Sequence, residues 1–340
     1  MNFKEYIETH RSGVYSTICS YIPIREPVQH YTMVRDYVDR QGSYRRPGLL
    51  MLAGQVFGAD PNELLLPAAA MQLSEDWILI HDDVEDHSEM RRGKPALQRI
   101  YGDELAINAG DAAHIAMWKM LHDYAGKAGM EKGRKVYDKF YDILEHTVEG
   151  QYRECNFIYN VRKLRDANED FYFKIAGSKT CYYTVYGPMQ LGALAAGQGM
   201  EVLDGLEAIG KPAGIAFQIV DDILDMTADE KTFGKKRYGD IYEGKATLIS
   251  IHAYEQASTA EREKLDRIYT KSRKEKTKED VDYVIGLIEK YDGIGYAMGI
   301  AESMGSETKK AVEKHLPEFP SSIYTNIILT AMEELYIRKG

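Results

Sequence analysis

Cysteine is scarce in this chain: three residues in 340, at positions 19, 155 and 181. An odd number, far apart and in no metal-type spacing, excludes a disulfide framework and a cysteine zinc site, and points to a reducing compartment. Long apolar runs are missing too. Stretches such as Trp77-Ile78-Leu79-Ile80 are far too short to span a bilayer. Met1-Asn2-Phe3-Lys4-Glu5 lacks the apolar core of a signal peptide. The expectation is a cytoplasmic protein with no membrane span. Positive charge is in deficit, with 43 Lys and Arg against 53 Asp and Glu and a net charge of −10. That argues against nucleic acid as a partner, because such binding needs a basic face. Sustained period-two alternation is absent, and so are Asn-Gly dipeptides between such runs, which excludes a strand-rich fold. No Pro- or Ser-rich linker and no short repeat divides the chain.

What is present reads as helix. The 44% hydrophobic fraction is ample for a core and the 28% charged fraction is ordinary for a surface. Gly and Pro punctuate long segments. Gly58-Ala59-Asp60-Pro61 is a break, and Asn62 opens a helix that runs to Asp86, with Pro67 one turn inside it. Arg91-Arg92-Gly93-Lys94-Pro95 is the next break. Helices are predicted up to Asp123, over Glu131–Tyr152 and, buried on most sides, over Phe171–Ala196 and Gly205–Met226. The charged stretch Glu255–Lys278 reads as a solvated helix pair. Asp229–Lys245, with Gly, Lys and charge but no periodicity, reads as a mobile loop. One all-helical domain over residues 1–340 is the economical reading.

One pattern stands out from this background. Asp82-Asp83-Val84-Glu85-Asp86 and Asp221-Asp222-Ile223-Leu224-Asp225 share the form DDxxD and start 139 positions apart. Residues four apart lie on one helix face, so Asp82 can join Asp86 and Asp221 can join Asp225. Carboxylates crowded in apolar surroundings are costly without cations. Hard oxygen ligands select Mg²⁺, which keeps waters and shares phosphate oxygens. Two such clusters facing one cavity would hold a metal-bound diphosphate. Arg91 and Arg92 follow the first cluster and offer fork-shaped donors for phosphate oxygens. Lys235 and Lys245 follow the second. Lys179-Thr180 and Gln218 lie on apolar helices, where a Lys needs a partner.

With these residues in view, the chain resembles the trans-isoprenyl diphosphate synthases, the short-chain farnesyl and geranylgeranyl polyprenyl synthetases. The carrying segments are Ile80–Asp86 with Arg91–Ala96, Phe217–Asp225, Gly234-Lys235 and Gly244–Leu248, with Asn108–Asp111 and Lys179-Thr180 between them. The resemblance runs by motif from about Gly42 to Leu248. It implies an all-α bundle with a central cavity lined by the two DDxxD motifs, and two or three Mg²⁺ ions. The implied metal ligands are Asp82, Asp83, Asp86, Asp221, Asp222 and Asp225. Arg91, Lys179 and Lys235 would contact the allylic diphosphate, while Thr180 and Gln218 would face the carbocation left when it departs. The double bond of isopentenyl diphosphate would attack that cation in a dry pocket. The loop up to Lys245 resembles a lid, and Tyr336–Lys339 a basic tail that approaches the phosphates. A homodimer is expected.

The chain departs from the family pattern at the isopentenyl site. The usual GKxxRP is Gly42-Ser43-Tyr44-Arg45-Arg46-Pro47, so Ser43 replaces a Lys while Arg46 is kept. Glu75 stands where a His is common. Arg92 remains, Arg45 offers a substitute charge, and Glu75 could pair with Arg45 or Arg46. Product length should depend on residues below Asp82. Trp77, five positions upstream, would be a floor with Ile78 beside it, and Ser74 and Met71 lie deeper. In this family such an aromatic accompanies short products, usually geranylgeranyl. Farnesyl diphosphate is the neighbouring alternative. A class I terpene cyclase is disfavoured, because its second metal motif is normally of Asn/Ser/Glu type. A non-catalytic subunit of a heteromeric synthase is disfavoured by two complete acidic motifs. His81 reads as a structural hydrogen-bonder, and Cys155 and Cys181 as small buried hydrophobes.

Overall fold

The computed structural model describes residues 1–228 and 237–336. It is almost entirely helical, as expected. Two compact units emerge: Met1–Asp142 with Gly187–Glu207 and His315–Ala331, and Ile143–Tyr186 with Ala208–Lys314 and the segment from Met332.

As far as Asp142 the first unit comprises α1 (Phe3–Tyr21), α2 (Val28–Asp39), α3 (Arg45–Val56), α4 (Pro61–Glu85), α5 (Leu97–Tyr101), α6 (Asp103–Ala128) and the start of α7 (Met130–Asn156). Local chemistry sets their ends. Asp60 accepts the Asn62 N–H at 2.8 Å and Pro61 fills the first helical position, so α4 starts where the sequence placed it. Its buried apolar residues run from Leu64 through Ala68–Met71 to Ile80. The break after α4 is not irregular. Met90–Arg91 and Lys94–Pro95 form a two-stranded antiparallel hairpin, with Arg92 (φ 50°) and Gly93 (φ 76°) at its turn. Two left-handed residues in succession suit the twist of a tight hairpin, and the sequence reading missed it because Arg is an unusual occupant.

α3 packs against α9 (Gly187–Ala195) at backbone distance. A Cβ built on Gly192 would run into the Leu50 carbonyl and lie 2.8 Å from the Gly54 amide nitrogen. Only glycine permits that approach.

In the second unit the predicted helix Phe171–Ala196 is divided. α8 (Glu169–Ile175) is followed by an eleven-residue π-helical stretch, Ala176–Tyr186, before α9 begins. α10 (Met200–Thr227) carries the second acidic motif. Within the predicted loop Asp229–Lys245, α11 (Gly239–Glu243) is a short helix. Lys235 and the tail residues Ile337–Lys339 lie outside the described residues. α12 (Leu248–Gln256), α13 (Thr259–Tyr269), α14 (Lys278–Lys290) and α15 (Gly293–His315) follow; α16 (Ile323–Tyr336) is last and belongs to the first unit as far as Ala331. The predicted charged helix pair over Glu255–Lys278 is one helix, α13, followed by turns. Cys181 is buried as expected, but Cys155 is only partly so. Among the described residues no helix is long and apolar enough to cross a membrane.

Gly192→Ala should lower stability by about 1–3 kcal/mol in urea unfolding, because the α3–α9 backbones must separate to admit a methyl group. An unchanged midpoint would mean that the close approach is not required.

Candidate active site

In the first unit the site is built on one stripe of α4. Gln72, Asp76 and Asp83, spaced four and seven apart, share a helix face and are buried. Unpaired carboxylates could not remain there. The hairpin supplies their partners. Arg91 Nε donates to Asp83 Oδ2 at 2.9 Å and its Nη2 pairs with Asp83 Oδ1, while Arg92 Nη1 reaches Asp76 Oδ1 at 2.8 Å. Tyr37 of α2 completes the arrangement. Its hydroxyl donates to Asp83 Oδ2 at 2.6 Å and accepts the Leu97 N–H at 3.1 Å, and its carbonyl accepts Arg92 Nη1 at 2.6 Å. Burial and the Asp83 charge together push the Tyr37 hydroxyl pKa well up, so it stays a donor.

Asp83 therefore has a different place from the one the motif suggested. It is completely buried and committed to Arg91 and Tyr37, whereas Asp82 and Asp86 are half-exposed. Asp86 closes α4 with its N–H on the Asp82 carbonyl at 2.8 Å, one turn on. Arg91 also stands 3.8 Å from Asp82.

The remaining sequence candidates of this unit cluster around Arg92. Glu75 lies between two arginines, with Oε2 3.2 Å from Arg46 Nη1 and Oε1 3.7 Å from Arg92 Nη2. Gly42 lies so close that a Cβ there would sit 2.6 Å from Arg92 Nη2. Ser43 is exposed and Arg45 half-buried at the start of α3. Trp77 is half-buried, its ring centroid 4.7 Å from that of His114 on α6 and 5.6 Å from that of His81. Ile78 is half-buried beside it, and buried Ser74 donates to the Met71 carbonyl at 2.7 Å. His81 is structural, as expected: its Nε2 meets the Ile107 carbonyl at 3.2 Å.

In the second unit a cavity of about 110 Å³ collects the other candidates: Lys179, Thr180, Gln218, Asp222 and Lys245. The widened π-helical turn carries Lys179 and Thr180 into it. A hydrogen-bonded chain runs along one wall. Thr180 Oγ1 donates to Gln218 Oε1 at 2.6 Å, and Gln218 Nε2 donates to Asp222 Oδ1 at 2.7 Å. Tyr172 donates to Asp222 Oδ2 at 2.8 Å. Asp222, like Asp83, is thus a buried second aspartate held by a tyrosine hydroxyl. Burial and the neighbouring Asp240 raise its pKa. Lys179 is paired with Glu154, and Lys245 with Glu243 at 2.8 Å.

Asp221 is half-exposed, but Asp225 is largely buried and engaged. Its two oxygens accept the Gly239 and Asp240 N–H groups at 3.2 Å each, so it anchors the segment opening α11. Burial, then Asp240, pushes its carboxyl up to about 7.

Sequence reasoning missed Asp240, Glu154, Tyr37 and Tyr172. Asp240 lines the cavity and stands 3.6 Å from Lys245. A signal for it existed in the acidic residues between two lysines; for the tyrosines there was none.

Among the described residues no three carboxylate, imidazole or thiol groups converge tightly enough to cage a metal ion. Half-buried Asp82, Asp86 and Asp221, all hard oxygen donors, nonetheless fit Mg²⁺, which takes few protein ligands and completes its shell with water and phosphate oxygens.

The Polyprenyl synthetase profile matches residues 28–288, a wider span than the motifs alone. The chain belongs to that family. It is 32% identical to the geranylgeranyl diphosphate synthase of Methanosarcina mazei over 317 residues, 92% of either chain. It is 33% identical to the geranylfarnesyl diphosphate synthase of Aeropyrum pernix, covering 72% of this chain and 76% of that one. Its structure resembles crystalline geranylgeranyl pyrophosphate synthetase from Pyrococcus horikoshii with a TM-score of 0.86 and 29% identity, covering 99% of this chain and 98% of that one. This polyprenyl synthetase is a prenyltransferase of the isoprenoid synthase fold.

Removing the Asp83 carboxylate would leave half-buried Arg91 with only the 3.8 Å contact to Asp82. Asp83→Ala should cost about 3–5 kcal/mol in urea unfolding, and half-exposed Asp82→Ala less than half of that. Equal losses would contradict the division of roles within the motif.

Proposed function

We propose that the protein condenses isopentenyl diphosphate with an allylic diphosphate, head to tail, and that its main product is geranylgeranyl diphosphate. The observation that carries this reading is the same division in both acidic segments. The second aspartate is buried and held by a tyrosine and the first is half-exposed, with Arg91 3.8 Å from Asp82 and Lys179 and Lys245 lining the cavity of Asp222.

Asp82 and Asp86 of the first segment would bind Mg²⁺, and Asp221 of the second segment is likewise a hard oxygen donor for it. Bound there, it neutralises the diphosphate oxygens and so favours departure of the leaving group. Arg91, fixed by Asp83 and Tyr37, offers donors for phosphate oxygens beside the first segment, and Lys179 and Lys245 do so beside the second. Lys179 must exchange Glu154 for phosphate, and Lys245 must exchange Glu243. The Thr180 hydroxyl spends its hydrogen on Gln218, which leaves its lone pairs free to face an allylic cation. Asp222 fixes the Gln218 amide by accepting from Nε2, so the carbonyl end of that dipole points to Thr180. Phe157, Phe171 and Ile175 line the same cavity and exclude water. The isopentenyl diphosphate would lie on Arg46 and Arg92.

Trp77 supports the twenty-carbon product. Packed against His114, it cannot swing aside without disturbing α6. The exposed apolar residues Leu105, Ile107 and Ile115 of α6 and Tyr137 and Tyr141 of α7 support a homodimer. Three free cysteines suit a cytoplasmic location.

The purified chain with Mg²⁺, isopentenyl diphosphate and each allylic starter should yield prenyl diphosphates ending mainly at twenty carbons. EDTA should abolish turnover. Absence of elongation by a folded, Mg²⁺-supplied chain would defeat the reading. Trp77→Ala should shift the products at least one five-carbon unit longer by chromatography; an unchanged distribution would remove Trp77 as the floor.

A further inference from the structure

The arginines assigned to isopentenyl diphosphate are already occupied. Glu75 spans Arg46 and Arg92 at 3.2 and 3.7 Å, and Asp76 takes the other edge of Arg92 at 2.8 Å. The side chains are at most 19% exposed, so water screens them little. Two guanidiniums face two carboxylates, and the formal charge of the group is zero. Asp76 is lifted to about 6, chiefly by burial with Arg92 opposing, so it is mainly ionised at neutral pH.

The two carboxylates are held in different ways. Asp76 comes within hydrogen-bond range of Arg92, at 2.8 Å, and is almost fully buried. Glu75 does not: Arg92 Nη2 is buried with no hydrogen bond, and the Glu75 oxygen at 3.7 Å is beyond that range. The Arg92 end of the Glu75 bridge is therefore an ion pair with an unused donor. A phosphate oxygen, which accepts strongly and carries more charge, can compete for that donor. It cannot do so with the Glu75 carboxylate still in place, because two anions would then share one buried pocket.

We propose that Glu75 is a specificity-determining residue of this pocket: a built-in counter-ion on Arg46 and Arg92 that an incoming diphosphate must displace. The proposal rests on the assignment of the arginine pair to isopentenyl diphosphate. It predicts weak binding of that substrate by the natural protein, and a gain on removal of the Glu75 charge alone. Its size is governed by lost repulsion and freed donors, and an effect of about tenfold corresponds to about 1.4 kcal/mol.

The test is equilibrium dialysis of labelled isopentenyl diphosphate with the full chain and its Glu75→Gln and Glu75→Met variants, in EDTA. Without a divalent cation the acidic segments repel a diphosphate, so binding reports the arginines. Both variants should bind about tenfold more tightly than the natural chain. In steady-state assays with Mg²⁺ the KM for isopentenyl diphosphate should fall by a similar factor, while the KM for the allylic diphosphate stays within twofold. Unchanged or weaker binding would overturn the proposal and make Glu75 an orienter of the arginines. Loss of helical circular dichroism in both variants would also overturn it, since the bridge would then be holding the fold. Product formation by the natural chain tests prenyl transfer separately. A chain that elongates nothing can still show the Glu75 effect in dialysis, and one that elongates well can lack it.

Discussion

A carboxylate cannot be buried without donors to meet it, and the second aspartate of each acidic segment is organised around that constraint. Asp83 takes Arg91 and the Tyr37 hydroxyl; Asp222 takes Gln218 and the Tyr172 hydroxyl. Each is thereby turned from a repelling charge into a fixed point. From Asp83 the ordering passes through Arg91 into the hairpin and through Tyr37 to the start of α5. From Asp222 it passes through Gln218 to Thr180. Asp82, Asp86 and Asp221, which flank these fixed points, are half-exposed. Asp225 is the exception, since it has become the anchor of α11.

Much of this was legible in the sequence, and for physical reasons. Helical periodicity, the Asp60-Pro61 start of α4 and the absence of alternation gave the all-helical class. The spacing within DDxxD places side chains on one face whatever surrounds them. What was not legible depends on distant partners. Tyr37 precedes Asp83 by 46 positions and Tyr172 precedes Asp222 by 50, and no local pattern marks two of 25 tyrosines. The π-helical stretch over Ala176–Tyr186 is equally hidden, because widened turns leave the apolar content of a segment unchanged. Spacing treated all three aspartates of each motif alike; only burial separates them.

The departures from the family pattern follow the same logic. A Lys was expected where exposed Ser43 stands, and a His where Glu75 stands. Buried Glu75 could not be left without a counter-charge, and half-buried Arg46 and Arg92 supply it. The pairing suspected from charge is present at Arg46, but its second arm goes to Arg92 rather than Arg45. Shared folds with close relatives therefore do not guarantee shared substrate affinity, since a few side chains set the balance of charge inside one pocket.

The hairpin at Met90–Pro95 acts as a spacer gauge. Asp76 and Asp83 are seven residues apart on α4, about 10 Å along its axis at 1.5 Å per residue. Their partners, Arg91 and Arg92, are joined by a single peptide bond, one in the strand and the other in the turn of the hairpin. Covalent geometry in two strands of two residues thus fixes a distance on a helix 25 residues long. Chemical substitution inside the hairpin and a change in its length are consequently unequal events. The first alters one contact; the second shifts both guanidiniums off their carboxylate partners at once.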